Sequence, residues 1–366
     1  MQRKIKIIAV VGPTASGKSE LAVKIARRFK GEIISADSRQ VYKGLNIGTG
    51  KVPGNWKTIS ESPTVQKCHC EEFRRKRNEE AISKIGLNKE IASLPAVARN
   101  DEIQFLDDRA SKIFIYKNVP HHCIDFVSPK KVFTIADFKK CAETAIKDNY
   151  ERGKVPILCG GTGFYVDTVL YNLPIPNVPP NTKLRAILSK KSIAELFQIL
   201  KKLDPKRAKT IDHHNPRRLI RAIEIVKATS RPISPIPRIS IENRANLWNS
   251  LILGINLPQK ELHKKIDKRL KSHLKQGMFQ EVKNLLKKGV SHKRLQSLGL
   301  EYRFVSLFLQ KKLARAEMKE KLKNAIHQYA KRQMTWFKRN KDIYWVASGQ
   351  NGETMANKKI EEFLIQ

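Results

Sequence analysis

Apolar residues follow two rhythms along this chain. Ile5-Lys6-Ile7-Ile8-Ala9-Val10-Val11 is short, β-branched and almost wholly apolar, the pattern of a central parallel strand buried on both faces. Glu20 to Phe29 follows with helical spacing, and Glu32-Ile33-Ile34-Ser35-Ala36 reads as a second strand. Val119 to Phe126 predicts a strand and loop, Thr134 to Asn149 a helix, Val155-Pro156-Ile157-Leu158-Cys159 another strand, and Leu251-Ile252-Leu253-Gly254-Ile255 the last strand of the sheet. Asn215-Pro216 opens a helix through Glu224, with Asn as N-cap and Pro at the first helical position. Strands alternating with helices predict an α/β fold around a parallel sheet. Beyond it, Leu262, Ile266, Leu270 and Leu274 recur at helical spacing and predict a helical region.

These rhythms divide the chain. A core runs over 1–56, resumes over 114–172 and ends over 214–258. The Pro-rich run Leu173 to Pro180 marks a hinge into a helical insertion over 173–213, a helical region spans 259–342, and 343–366 is a tail. The block 57–113 lacks strand pattern. Its charge run from Glu71 to Glu80 reads as a solvated excursion inserted in the core, and Cys68-His69-Cys70 has no second Cys/His pair at zinc-finger spacing.

Composition narrows the class. With 366 residues and 40% hydrophobic content the chain can bury a sizeable core, and no apolar run approaches the roughly 18 residues that span a bilayer. Absence of a signal-like N-terminus and five cysteines at no framework spacing lead us to expect a cytoplasmic protein without a membrane partner. The formal net charge of +38 calls for a polyanion, for which nucleic acid is the natural candidate. Between Lys260 and Lys341 there are 24 Lys/Arg against 6 Asp/Glu, so the excess is concentrated on the predicted helices.

The chemistry starts at Gly12-Pro13-Thr14-Ala15-Ser16-Gly17-Lys18-Ser19, which lies between a strand and a helix. The glycines let the backbone wrap an anion, Lys18 adds a full charge and Ser19 can ligate Mg2+, so the segment predicts a phosphate-binding loop for a di- or triphosphate. The second strand delivers Asp37-Ser38-Arg39-Gln40 at its carboxyl end, where ligands bind in open α/β sheets. Asp37 there can hold a metal, act as a general base or cap the turn. Gly160-Gly161-Thr162-Gly163 brings flexible backbone and a hydroxyl to the same edge. No strong acidic strand end of the ATPase type appears, with Asp125 a weak second carboxylate, and this weighs against a motor or helicase. Arg218 and Arg221, three apart on one helix face, are candidates to clamp phosphate.

Five motifs then occur in order: Gly12 to Ser19, Asp37 to Thr49, Gly160 to Tyr165, Pro216 to Glu224, and Lys331-Arg332-Gln333-Met334-Thr335-Trp336-Phe337. Together they resemble the tRNA dimethylallyltransferase family over nearly the whole chain outside the 57–113 block. The resemblance implies a P-loop NTPase-like core with a helical insertion domain and basic C-terminal helices. It also implies transfer of a dimethylallyl group from dimethylallyl diphosphate to the exocyclic amine of the adenosine 3′ of the anticodon in tRNA.

On that reading Asp37 is the general base, while Thr14, Lys18 and Ser19 hold the diphosphate and Mg2+, with Arg221 or Arg218 also on the diphosphate. Asp37, Ser38, Arg39, Gln40 and Thr162 meet the target nucleotide. Arg185, Arg303 within Gln296 to Arg303, and Lys331, Arg332, Gln333 and Trp336 contact the anticodon stem-loop. Gly299-Leu300-Glu301-Tyr302-Arg303 fits the family's Gly-Tyr-Arg motif only with two extra residues. A monomer is expected. Two other classes stay open, a P-loop kinase of a small molecule using ATP and a non-catalytic RNA-binding protein; neither accounts for all five motifs.

Overall fold

The computed structural model describes residues 4–58, 112–233 and 247–365. Its centre is an eight-stranded sheet of β1 (Ile5–Val11), β2 (Gly31–Ser35), β3 (Asn55–Thr58), β4 (Lys112–Tyr116), β5 (Val119–His122), β6 (Val155–Gly160), β7 (Trp248–Asn256) and β8 (Ile343–Ala347). The order is β3-β4-β5-β2-β6-β1-β7-β8. All neighbours from β5 to β8 are parallel, and β3 and β4 extend one edge antiparallel. β1 lies inside the sheet, which is why its apolar run is continuous: Ile8 and Val10 enter one core, Ile7, Ala9 and Val11 the other.

Helix α1 (Lys18–Arg28) covers the first face together with the C-terminal helices α8 (Gln259–Lys275), α9 (Met278–Lys287), α10 (His292–Leu298), α11 (Leu300–Leu309) and α12 (Arg315–Phe337). Helices α2 (Ile135–Glu151) and α3 (Gly163–Leu170) cover the second. The start of α2 is fixed by a capping box between Thr134 and Asp137. A separate apolar cluster joins α4 (Thr182–Leu188), α5 (Ile193–Leu203), α6 (Pro205–Thr210) and α7 (Pro216–Thr229).

Three features differ from the expected organisation. The sheet continues past β7: Ile343-Tyr344-Trp345-Val346-Ala347 pairs with it as β8, and α13 (Gln350–Ile365) returns over the first face, so 343–366 is no simple tail. Helix α7 has the expected Asn215 cap and Pro216 start, yet Leu219, Ala222 and Ile223 pack into the α4–α6 cluster rather than the sheet. The 57–113 block has β3 and β4 at its two ends; residues 59–111, including Cys68-His69-Cys70, lie outside the described residues. Among the described residues no helix is long and apolar enough to cross a membrane, and no group of three or more His, Cys, Asp or Glu side chains is arranged to hold a metal.

Candidate active site

The carboxyl ends of β1, β6 and β2, three adjacent strands, carry the three polar segments singled out above. At the first, Gly17 adopts φ 94° as the N-cap of α1, a left-handed turn that favours glycine and leaves the helix N-terminus open toward the loop. Lys18 folds back so that Nζ donates to the Pro13 carbonyl at 3.3 Å. Burial lowers the Lys18 pKa from its ordinary value, while Cys159 and Asp37 pull it back up. Ser16 Oγ is buried with no hydrogen-bond partner among the described residues. An orphaned hydroxyl and a desolvated lysine at a helix N-terminus form a cradle suited to phosphate oxygens.

Asp37 follows β2. Its Oδ1 accepts the backbone N–H of Arg39 at 2.8 Å and of Gln40 at 3.3 Å, so capping is one of its roles. Oδ2 accepts no hydrogen bond from the described residues, which leaves it open to a proton from a substrate. The Gly160 turn comes so close that a Cβ on Gly160 would lie 2.2 Å from the Ala36 carbonyl oxygen, and that approach puts Thr162 Oγ1 in position to accept from Ser38 N–H at 3.2 Å. Gln40 reaches across to the Thr49 and Gly50 carbonyls. Thus Gly12 to Ser19, Asp37 to Gln40 and Thr162 form one cluster.

The described structure does not bring the predicted arginines into it. Arg185 and Arg221 both bind Glu224, and Arg221 also donates to the Val178 carbonyl. Burial opposes the Glu224 charge, but the two guanidinium groups outweigh it and hold the carboxyl down to about 2. Arg218 is exposed beside Asp212. These side chains staple the α4–α7 cluster; their placement follows from α7 packing there and not on the sheet. Asp125 is likewise committed, pairing with buried Lys51 and accepting from Trp56 Nε1.

The C-terminal motifs split by helix face. Lys331 and Arg332 are exposed on α12, and Arg303 is exposed on α11. Gln333 falls on the same stripe as Ile326, Ala330 and Phe337 and is buried. There Oε1 accepts Thr14 N–H at 2.8 Å and Nε2 donates to the Gly161 carbonyl at 2.7 Å, so this residue, expected on RNA, ties the phosphate loop to the Thr162 turn. Trp336 packs over Gly163 and Phe164 and donates to Asp167 at 3.0 Å, held in the protein rather than presented to bases. Tyr302 is fully buried, donating to Glu281, which also accepts the backbone N–H groups of Asn46, Ile47 and Gly48. A Cβ on Gly48 would lie 2.8 Å from that tyrosine, so the glycine of the Gly48-Thr49 pair is a packing requirement.

Ser19, the candidate metal ligand, lies beside the Cys159 thiol, which burial pushes up to about 11 and so keeps protonated. A hydroxyl of this kind fits Mg2+, which characteristically takes one or two protein ligands and completes its shell with phosphate oxygens and water.

Arg269 is the polar residue at this site that the spacing concealed. From α8 it donates to Thr14 Oγ1 at 3.1 Å and to the Thr49 carbonyl at 3.0 Å. In a segment so dense in lysine and arginine, one inward-facing cation carries no distinguishing mark; its position next to the buried Ile266 and Leu270 was the available signal.

Comparison with known proteins gives a consistent picture. The family model for IPP transferase matches residues 112–340, and that for isopentenyl transferase residues 5–57. The tRNA dimethylallyltransferase 1 of Geotalea uraniireducens is 34% identical over 359 residues, 98% of this chain and 96% of that protein. The tRNA dimethylallyltransferase of Caldanaerobacter subterraneus is 32% identical, covering 93% of this chain and 91% of its own. The crystal structure of a tRNA isopentenylpyrophosphate transferase from Staphylococcus epidermidis superposes with a TM-score of 0.60 at 29% identity, over 98% of this chain and 99% of that one. A eukaryotic dimethylallyltransferase acting on tRNA shares the fold with a TM-score of 0.67, over 98% and 80% of the two chains, at 23% identity.

Proposed function

Because the chain belongs to the tRNA dimethylallyltransferase family, we propose that it transfers the dimethylallyl group of dimethylallyl diphosphate to tRNA, at the exocyclic amine of the adenosine 3′ of the anticodon, as a monomer. The observation that carries this reading is the adjacency of two half-sites on neighbouring strand ends. The Gly12–Ser19 cradle faces the Asp37–Gln40 and Thr162 cluster, so an anionic leaving group and a base-bearing acceptor can meet between them.

In this reaction the amine nitrogen bonds to the prenyl carbon as the carbon–oxygen bond breaks, the electron pair leaves with diphosphate, and the amine gives up a proton. Asp37 has the geometry to take it: Oδ1 is pinned by two backbone N–H groups while Oδ2 is open. Lys18, Thr14 and the loop amides stabilise charge growing on the departing oxygens. Mg2+ would be held by Ser19 together with the diphosphate and would supply further neutralisation of that charge. The target adenosine must leave its stack to reach Asp37, with Ser38, Arg39, Gln40 and Thr162 around it. Arg303, Lys331 and Arg332, all exposed, would hold the anticodon stem-loop backbone.

The test mixes the protein, Mg2+, labelled dimethylallyl diphosphate and a tRNA with adenosine following its anticodon. Label is expected in that nucleotide with release of one diphosphate per transfer. ATP turnover without label in RNA favours a kinase, and tight tRNA binding with neither reaction favours a non-catalytic binder; either result sinks the proposal.

A further inference from the structure

The fold brings two cysteines together whose spacing in the chain carries no signature. Cys123, directly after β5, and Cys141, in the first half of α2, are 18 positions apart, yet their Sγ atoms lie 2.7 Å from each other. Cys159 behaves differently, its thiol meeting the Lys18 carbonyl at 3.8 Å. Both elements that carry the pair are fixed independently of it. Arg152, next after α2, binds Glu32 of β2, and His122, the neighbour of Cys123, approaches the same carboxylate at 2.7 Å. Cys123 itself stands at φ 56°, a left-handed conformation uncommon for a residue with a Cβ, so the surrounding structure and not local preference holds it there.

Two thiols held in contact by a folded scaffold react as one unit, because folding has already met the entropic cost of bringing them together. Their exposure differs. Cys123 is 5% exposed and Cys141 only half-buried, so an oxidant reaches Cys141 first.

We propose that Cys123 and Cys141 are a reversible disulfide-forming pair, oxidised by exchange with a small-molecule disulfide. The Cys141 thiolate attacks one sulfur of that disulfide, and the displaced thiolate takes up a proton. Cys123, as its thiolate, then attacks Sγ of Cys141 and displaces the second small thiol. The two protons and two electrons lost by the pair end on two molecules of reduced small thiol. Because the sulfurs already touch, the bond closes with little movement of β5 or α2, and it acts as a clamp. What it clamps is the segment behind the Asp37–Gln40 turn: Asp125 N–H donates to the Gln40 carbonyl at 2.8 Å, and Phe126 and Val127 donate to that of Val41 at 2.8 and 2.9 Å.

The test incubates the reduced full chain, at neutral pH and without denaturant, with oxidised glutathione, followed by tryptic peptide mapping without reduction. The expected product joins Asn118–Lys130 to Cys141–Lys147, each of which contains one cysteine. Oxidation is also expected to raise the melting temperature by about 5 °C, reversed by dithiothreitol, since the bond closes a loop in the unfolded chain. Cys141→Ser should show neither the joined peptide nor the shift. Prenyl transfer should stay within about twofold on oxidation; a tenfold loss, or an unchanged melting temperature in the bridged protein, overturns the clamp. Mapping of the wild-type chain needs no variant to fold. Glutathione adducts without the joined peptide, joining only after denaturation, or linkage of either peptide to Cys68 or Cys70 instead overturns the pair.

Discussion

At the scale of single residues, the proposed mechanism gives the two oxygens of Asp37 different work. Asp37→Asn retains an oxygen that can accept from Arg39 and Gln40 but loses the proton acceptor. We expect transfer to fall by about 10²- to 10⁴-fold with tRNA affinity nearly unchanged, a split read from single-turnover kinetics and filter binding. Gln333 makes a contrasting case. Replacement by Ala leaves the Gly161 carbonyl and the Thr14 amide without that partner, at a cost of about 1–3 kcal/mol each if water cannot reach them. Gln333→Glu preserves an acceptor for Thr14 but sets oxygen against oxygen at Gly161, so it should lower both melting temperature and kcat; equality with wild type in both would remove the bridging role. The Gly12–Ser19 segment was legible in the sequence because its signature is local: its glycines, lysine and serine fall within eight consecutive positions. The contacts of Gln333 were not legible, because its partners lie 319 and 172 positions away.

Secondary-structure elements show the same division. β1, α1, α2 and the start of α7 were legible because each carries its own signature: a two-face apolar run, a glycine turn, the Thr134/Asp137 box and Asn215-Pro216. β8 was not, because as the edge strand it buries only Ile343 and Val346 outright and leaves Tyr344 and Ala347 exposed, a weak pattern after so long a helical stretch. The placement of α7 was also hidden, since an amphipathic stripe says that a helix packs without saying on what.

One junction between elements is directly testable. Glu32 on β2 meets Arg152 at the end of α2 through both guanidinium nitrogens, and His122 on β5 approaches it at 2.7 Å. Burial opposes the Glu32 charge, yet Arg152 and His122 outweigh it and hold the carboxyl down to about 2, below its ordinary 4.5. A depressed carboxylate adds stability that is present above about pH 4.5 and is lost as the pH falls from there toward 2. Arg152→Met should cost about 3–5 kcal/mol at neutral pH, by stranding a buried charge. It should also flatten the acid limb of a stability-against-pH curve; a variant with the same acid limb as wild type would assign that limb to other groups.

For the whole molecule, charge is the dominant fact. Binding that depends on phosphate contacts weakens steeply with salt, so the logarithm of the tRNA association constant should fall linearly with that of salt concentration. The double change Lys331→Glu and Arg332→Glu removes two exposed cations from α12 while Gln333 stays in place on the opposite face. It should reduce tRNA affinity by about tenfold or more and make the salt dependence shallower, with pyrophosphate affinity unaltered, as fluorescence anisotropy and calorimetry would report. An unchanged tRNA affinity would move the RNA-binding face off this helix.

The span from Thr14 to Gln333 has a further meaning in time. A ribosome that has made β1, the glycine loop and α1 has produced all of Gly12–Ser19, but not the side chain that joins that loop to the Gly161 turn. That side chain arrives more than three hundred residues later, on the same helix that offers Lys331 and Arg332 to solvent. Contacts of such separation form late and slowly. The nascent chain therefore carries its glycine loop long before it carries the side chain that ties that loop to the Gly161 turn.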